Sequence, residues 1–408
     1  MQITLLSILT PYKENYNGTS ALPYHLMVHR PKNVDITIYS FNNNHLPDDK
    51  IKETETELNV IIKKIKLPKW FLLVFKFHLL FIRLFLKYPI HHYIKVPSNI
   101  VNEIKQASPN GIWVYGAELS RVVKQFDGFK CVHTLPDSEA LYYHRMMGTR
   151  FVFNSPLQYW KCAFMYRKFR RMENDFSEDQ NVWIHTVGDA DAKFIKDMNP
   201  KLQVKFIRHP HYETKTSLSL SKGEDVSLRR FHTPIRLLIA GQYNYYMKQD
   251  ADQLISELKC NNSRIQKLKN NYSLTFLGKG WEEHVAGLKN VGWNVNHIAF
   301  APDYIEEIAK HNIQISPISI GTGTKGKVLD ALANGLLVIG SEYAMENIAV
   351  ENGKSTIVYQ QPEDVPEILE GILSNIPQYE QMAMAGMKNM EDSHGRNVVS
   401  KELFQLFD

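Results

Sequence analysis

From Ile235 onward, short β-rich apolar runs alternate with stretches whose apolar residues recur at helical spacing. The strand candidates are IRLLIAG, YSLTFLG, NVGW, IQISPI, LLVIGS and STIVY, and segments such as PDYIEEIAKH and KGKVLDALANG lie between them. Alternation of this kind predicts a parallel sheet wrapped by helices. The first half repeats the theme less cleanly, with QITLLSIL, DITIYSF, GIWVYGA, KCVHTL, FVFNS, NVWIHTV and VKFIR as candidate strands. Residues 209–233 are polar and rich in Ser, Thr and Lys, the composition of a connection between domains. The pattern therefore predicts an α/β domain over 1–208, a linker over 209–233 and a second α/β domain over 234–375. The helical residues 376–408 remain free to cross back to the first domain.

Composition narrows this picture little. The chain has 408 residues, 44% hydrophobic and 22% charged, which excludes disordered, collagen-like and disulfide-scaffold classes. Its formal charge of +5 is too small over this length to demand nucleic acid. Cys131, Cys162 and Cys260 are scattered and lack any C-x-x-C spacing, so neither a zinc site nor a disulfide framework is expected. A reducing, cytoplasmic setting follows, and the first residues read as a strand rather than an export signal.

Open α/β sheets bind ligands beyond the carboxyl ends of their strands. There, IQISPISI runs into Gly321, Thr322, Gly323, Thr324, Lys325, Gly326 and Lys327, followed by a helix and another strand. Glycines let the backbone turn tightly and present N–H groups, a helix start adds a positive dipole, and two lysines add whole charges, a combination suited to phosphate. Gly321 to Lys327 also satisfies the P-loop spacing, but Val328 stands where Ser or Thr should hold magnesium, which makes a P-loop NTPase the weaker alternative.

The run from Ser316 to Ile348, SPISIGTGTKGKVLDALANGLLVIGSEYAMENI, resembles the donor-site signature of GT-B glycosyltransferases of the family 4 type (glycosyl transferases group 1). The resemblance covers about 110 residues from Ile235 and is weak over the first half. It implies two Rossmann-like domains whose parallel sheets face each other across a cleft. It also implies a nucleotide-diphosphate sugar held by the second domain, a glycan or lipid-linked saccharide held by the first, and transfer with retention. By position, Asp330 stands for the glutamate that binds the ribose hydroxyls, and Thr322 replaces the glutamate expected eight residues earlier. Gly323 and Thr324 would face the diphosphate, with Lys325 and Lys327 as charge partners and neither metal nor cofactor required. Gly241 and Lys248 match the family's other phosphate contacts in part. In the first domain, His133 and Asp137 in KCVHTLPDSEALYYHRM resemble catalytic-side residues, although a packed core histidine and a helix cap explain them equally. Asn17 and Gly18 occupy the place of a glycine-rich loop on the acceptor side. The Thr322 departure leaves open a non-catalytic binding or scaffold subunit on the same fold.

Two further patterns stand apart from this motif. Asp189 and Asp191 spell D-x-D, which first-turn acidic residues of a helix explain on dipole grounds. Residues 68–88, PKWFLLVFKFHLLFIRLFLKY, hold no uncharged run longer than six residues and make a poor membrane span. On one continuous helix Lys69, Lys76, Arg83 and Lys87 would fall within about 40° of each other, the rest being apolar. Such a helix suits either a covered position in the first domain or peripheral contact with an anionic membrane surface.

Overall fold

The computed structural model describes residues 1–212, 214 and 230–408; of the proposed linker, Glu213 and residues 215–229 lie outside the described residues. The chain divides into two compact units, Met1–Pro210 with Arg396–Asp408, and His211–Gly395. The terminal helices part at Gly395. Ile376–His394 belongs to the second unit and Arg396–Phe404 to the first.

The first unit holds a parallel sheet of β1 (Gln2–Ser7), β2 (Asp35–Ser40), β3 (Ile61–Lys64), β4 (Gly111–Tyr115), β5 (Cys131–Leu135), β6 (Val182–Thr186) and β7 (Val204–Phe206). Their order is β3-β2-β1-β4-β5-β6-β7. Ile3 pairs with Ile36 on one side and Gly111 on the other, which places the order reversal between β1 and β4. Alternate residues serve opposite faces. Ile3, Leu5, Ile36, Ile38, Trp113 and Val132 pack against the helix Ala21–Val28 and the returning Val399, Leu403, Phe404 and Phe407. Leu6, Tyr39, Ile112, Val114 and Cys131 pack on the other face against Phe71, Val74, Val101, Ile104 and Phe126.

The second unit repeats the plan with β8 (Ile235–Ala240), β9 (Tyr272–Leu277), β10 (Val295–Ile298), β11 (Ile313–Ser316), β12 (Leu337–Gly340) and β13 (Ile357–Val358), in the order β10-β9-β8-β11-β12-β13. The reversal falls between β8 and β11. Ile235, Leu237, Ile239, Leu274, Phe276, Ile313 and Ile315 face helices that include Lys248–Leu258 and Val365–Ser374. Leu238, Ala240, Leu277 and Val338 face the helix Gly326–Ala333 and Met390. Both sheets are thus covered on two sides, as near-continuous apolar parallel strands require.

Three sequence expectations are corrected. NVGW is not a strand: Asn290 ends the helix Glu282–Asn290, Gly292 turns the chain at φ 91°, and the strand begins at Val295. FVFNS is helical from Arg150 to Phe153, because the Thr149 carbonyl accepts from the Phe153 amide (2.8 Å) and closes a helical turn. The span 68–88 is not one helix. An α-helix covers Lys69–Lys76, His78 takes a left-handed φ of 52°, and a 3-10 turn follows over Leu80–Leu84. Lys69 and Lys76 share the helix, and Arg83 and Lys87 lie outside it, so the four do not form a single helical stripe. The edge strand β3, which is mostly exposed, carries too little alternation to be read from its sequence.

Candidate functional site

The ends of β8 and β11 flank the order reversal of the second unit, the position where doubly wound sheets admit ligands. Gly241 follows β8 at φ 142°, a region closed to most side chains, and a Cβ there would crowd Met247 Sδ at 2.9 Å. The loop it opens is tied to the loop after β11. The Ser319 amide donates to the Tyr246 carbonyl (2.8 Å), and Ser319 Oγ accepts from the Asp250 amide (3.0 Å).

Beyond Ser319 the chain makes the glycine and lysine turn. Gly323 sits at φ 61°, and its carbonyl accepts from Lys325 Nζ (3.0 Å) and Asn347 Nδ2 (2.8 Å). Lys325 also donates to the Thr322 carbonyl (3.1 Å), so this ammonium is folded over its own loop. Lys325 has extended backbone and the helix Gly326–Ala333 begins at once, which leaves the Gly326 and Lys327 amides without acceptors inside the helix, while the Val328 amide donates to the Lys325 carbonyl (2.9 Å). Thr324 is half-buried within the turn.

One turn along that helix, Asp330 is 9% exposed. Burial pushes its carboxyl up to about 7, and only the Lys327 ammonium, three residues earlier, opposes this. Crowding by neighbouring protein lowers the Lys327 pKa in turn, although its side chain still reaches solvent. Lys327 Nζ lies 5.1 Å from the centre of the Tyr304 ring. The Tyr304 hydroxyl is buried without a hydrogen-bond partner among the described residues, and burial together with the Asp330 charge raises its pKa. Gln314, in the middle of β11, donates from Nε2 to Ser316 Oγ (3.0 Å) and the Lys327 carbonyl (3.3 Å), while its Oε1 is buried and unpartnered among the described residues. A buried carboxyl opposed only by the Lys327 charge therefore lies with, among the described residues, a buried hydroxyl with no acceptor and a buried amide oxygen with no donor about one lysine. Protein interiors seldom leave such groups unsatisfied, and a polar ligand would satisfy them.

Lys248 faces elsewhere. Its ammonium lies 5.2 Å from the centre of the Tyr243 ring, in an open cavity of about 640 Å³ shared with Asp252, Lys259, Glu283 and His284. Tyr243 Oη donates to Asp252 (2.6 Å), and His284 Nε2 lies 3.1 Å from the same carboxylate.

Sequence reasoning missed three residues of the site. Gln314 was legible as a lone amide in an apolar central strand. Asn347 left a weaker signal: it occupies φ 69°, a region that Asn tolerates better than other non-glycine residues. Nothing local marks the buried hydroxyl of Tyr304.

In the first unit, His133 is 2% exposed and burial lowers its pKa to about 4, which makes the ring neutral. Its Nε2–H donates to the Gly116 carbonyl (2.9 Å), an acceptor that fixes the tautomer, and its edge meets Phe176 at 5.1 Å. The helix Glu139–Met147 is capped by Ser138, whose hydroxyl accepts from the Leu141 amide (3.1 Å); Asp137 precedes the cap, half-buried. The buried Glu173 carboxyl accepts from Ser138 Oγ (2.6 Å) and the Ala140 amide (3.0 Å), and Asp191 accepts from the Ser138 amide (2.7 Å). Half of the D-x-D pair is thus spent on holding a neighbouring helix start. Burial pushes Glu173 up to about 8, and crowding by protein pushes the half-buried Glu139, beside Asp137 and Glu173, also to about 8. Asn17 (φ 49°) and Gly18 (φ 143°) are exposed in the loop after β1. Asn17 Nδ2 donates to the Asn44 carbonyl (3.1 Å), and a Cβ on Gly18 would press on Leu9.

Residues 230–376 match the family described as glycosyl transferases group 1. Solved structures align over nearly the whole chain. Anabaena HepE in complex with UDP has a TM-score of 0.60 at 11% identity, covering 99% of both chains. A Rickettsia africae glycosyltransferase has 0.62 at 12%, covering 100% and 98%. WaaG, a glycosyltransferase involved in lipopolysaccharide biosynthesis, has 0.57 at 12%, covering 100% and 99%. The fold is GT-B. Among curated protein sequences none matches this chain. Within the GT-B fold, the 321–330 turn and its neighbours Tyr304 and Gln314 lie wholly inside the matched segment. The helices around His133 and Glu173 lie outside it.

Proposed function

We propose that the protein is a retaining, metal-independent glycosyltransferase that takes a sugar from a nucleotide-diphosphate donor bound by the second unit. The acceptor is a glycan or lipid-linked saccharide of surface polysaccharide or glycoconjugate synthesis, bound by the first unit. The observation that carries this reading is Asp330. It is a buried carboxyl opposed only by the Lys327 charge, one helical turn beyond a glycine and lysine bend, and so suited to a pair of ribose hydroxyls. Lys327 and the first-turn amides supply the positive field that a departing diphosphate needs, which is the work a metal does elsewhere. HepE was solved with UDP and with UDP-glucose, which favours a uridine donor for this chain. The involvement of WaaG in lipopolysaccharide biosynthesis favours a surface-glycan acceptor. On the acceptor side, His133 is assigned the task of holding the Gly116 loop through its Nε2–H, and Asp137 that of keeping an acidic rim with Glu139.

No helix among the described residues is long and apolar enough to cross a membrane. Trp70, Leu72, Leu73, Phe77, Phe81 and Phe85 are nevertheless all at least 40% exposed, and a soluble surface rarely gathers so many. We assign residues 68–88 to contact with a membrane surface.

A non-catalytic binding subunit is the second reading. It is favoured by Thr322 in place of a glutamate and by Lys325 folded back over the Thr322 and Gly323 carbonyls. Calorimetric titration with UDP, GDP and their sugars tests the site, with hydrolysis or transfer of the bound donor as the second readout. Binding with turnover is the expected result. Binding without turnover selects the second reading, and indifference to every nucleotide overturns both.

A further inference from the structure

We propose that the helix Pro156–Asn174 is a second membrane anchor, whose basic end forms a cavity for the phosphate headgroups of an anionic bilayer. This deepens the membrane reading of residues 68–88 and is independent of the sugar-transfer reading. At about 100° per residue, Leu157, Trp160, Phe164, Arg167 and Arg171 fall within roughly 80° of one another, and Lys168 at the edge of this stripe is buried. This one face is apolar toward its start and cationic toward its end. Leu157 is 74% and Trp160 59% exposed, Phe153 just before the helix is 70% exposed, and Trp160 stacks on Phe164 at 5.5 Å. Cys162 and Glu173 point the opposite way, into the protein.

The face is continuous with the first anchor. Lys168 Nζ lies 4.7 Å from the centre of the Phe164 ring and donates to the Arg83 and Leu86 carbonyls, and the Arg83 guanidinium lies 5.4 Å from the centre of the Phe75 ring. A line of contacts therefore runs from Trp160 through Phe164, Lys168 and Arg83 to Phe75. Beside it, Lys87, Arg167, Arg170 and Arg171 line an open cavity of about 670 Å³, together with Tyr166, Asn174 and Asp175. Four cations meet one carboxylate there, and Asp175 is already engaged by Tyr88 Oη and by Lys87 at 3.6 Å. Arg83 Nε is buried with no hydrogen-bond partner among the described residues. Apolar side chains flanking an uncompensated guanidinium cluster match the layered chemistry of a bilayer surface, with acyl chains below and phosphates above. Guanidinium groups are also suited to paired contacts with phosphate oxygens.

The test is flotation of the full chain with phosphatidylglycerol or phosphatidylcholine vesicles at 0.1 M salt. Binding to the anionic vesicles alone is expected. R167A/R170A/R171A should weaken it about a hundredfold, at about fivefold per basic residue near the surface. L157S/W160S should weaken it at least tenfold, and R167K/R170K/R171K should retain most of it. Circular dichroism and UDP titration on each variant exclude misfolding and report on the donor site separately. The proposal is overturned if the alanine and serine variants float like the native chain while W70S/F77S does not. It is overturned equally if millimolar inorganic phosphate displaces the protein from vesicles, since that result assigns the cavity to a free anion.

Discussion

The two sheets share one strand order, the added β7 apart, and one pair of flanking layers, yet around their candidate sites they treat buried polar groups in opposite ways. In the first unit, the polar residues near the ends of β5 and β6 answer each other: His133 to Gly116, Glu173 to Ser138 and Ala140, Asp191 to the Ser138 amide. In the second unit, among the described residues, the Tyr304 hydroxyl and Gln314 Oε1 lack such answers, and Asp330 is answered only by the Lys327 charge. A scaffold that folds twice in the same way thus separates two uses of burial. Satisfied groups fix backbone, and unsatisfied ones hold free energy in reserve for a ligand. Stability should be lost by mutating the first set and nucleotide binding by mutating the second.

Removal of Glu173 is the strongest test of that division. Glu173→Ala leaves the Ser138 hydroxyl and the Ala140 amide buried without an acceptor, at about 1–3 kcal/mol for each group. A loss of about 3 kcal/mol in chemical denaturation is expected, with the UDP affinity of the surviving folded protein unchanged. A change in UDP affinity would erase the distinction between the two units. The reverse pattern is expected of Asp330→Ala. Two hydroxyl bonds to a carboxylate account for about 1.5–3 kcal/mol, so UDP affinity should fall roughly 10- to 100-fold. Stability should hold or rise, because a desolvated carboxyl has been removed.

The pH dependence sharpens the same contrast. Asp330 is held near 7, and its ionised form is the better acceptor, so UDP affinity should fall roughly tenfold from pH 8 to pH 6 in calorimetry. Asp330→Asn should flatten that part of the profile. Stability runs the other way. Asp330, at about 7, and Glu173, at about 8, both bind protons more tightly folded than unfolded. Their contribution is therefore fully present below the ordinary carboxylate range and is lost as pH rises through 7 to 8. Melting temperature should drop across that window, and by less in Asp330→Asn.

Much of this was legible in the chain, and the reasons differ by region. Apolar runs such as IRLLIAG and LLVIGS announce buried parallel strands because nothing but a two-sided core explains them. The 321–327 turn was readable because glycine and lysine carry their chemistry in the local sequence. Residues 68–88 misled because periodicity assumes an unbroken helix, and the left-handed His78 leaves no compositional trace. Tyr304 was illegible for a different reason. Its significance lies in an unpaired hydroxyl beside Asp330, a relation between residues 26 apart in sequence that only folding creates.

The smallest expected effects discriminate between lysines that look alike in sequence. Lys327 stands three residues before Asp330 on one helix and reaches solvent, so Lys327→Ala should weaken UDP by about 1 kcal/mol, less at high salt, as a screened contact with phosphate must. Lys248 matches the family's phosphate contact by position, yet its ammonium rests on Tyr243 in the cavity with Asp252 and His284, and the Tyr243 hydrogen bond raises its pKa. If that placement persists with donor bound, Lys248→Ala should change UDP affinity by less than about threefold, within the range of an exposed charge. A loss as large as that of Lys327→Ala would mean that the ligand draws Lys248 away from Tyr243. The loop after Gly241 would then move on binding, and Tyr243→Phe, which frees the lysine from its hydroxyl partner, should tighten UDP slightly in the same titration.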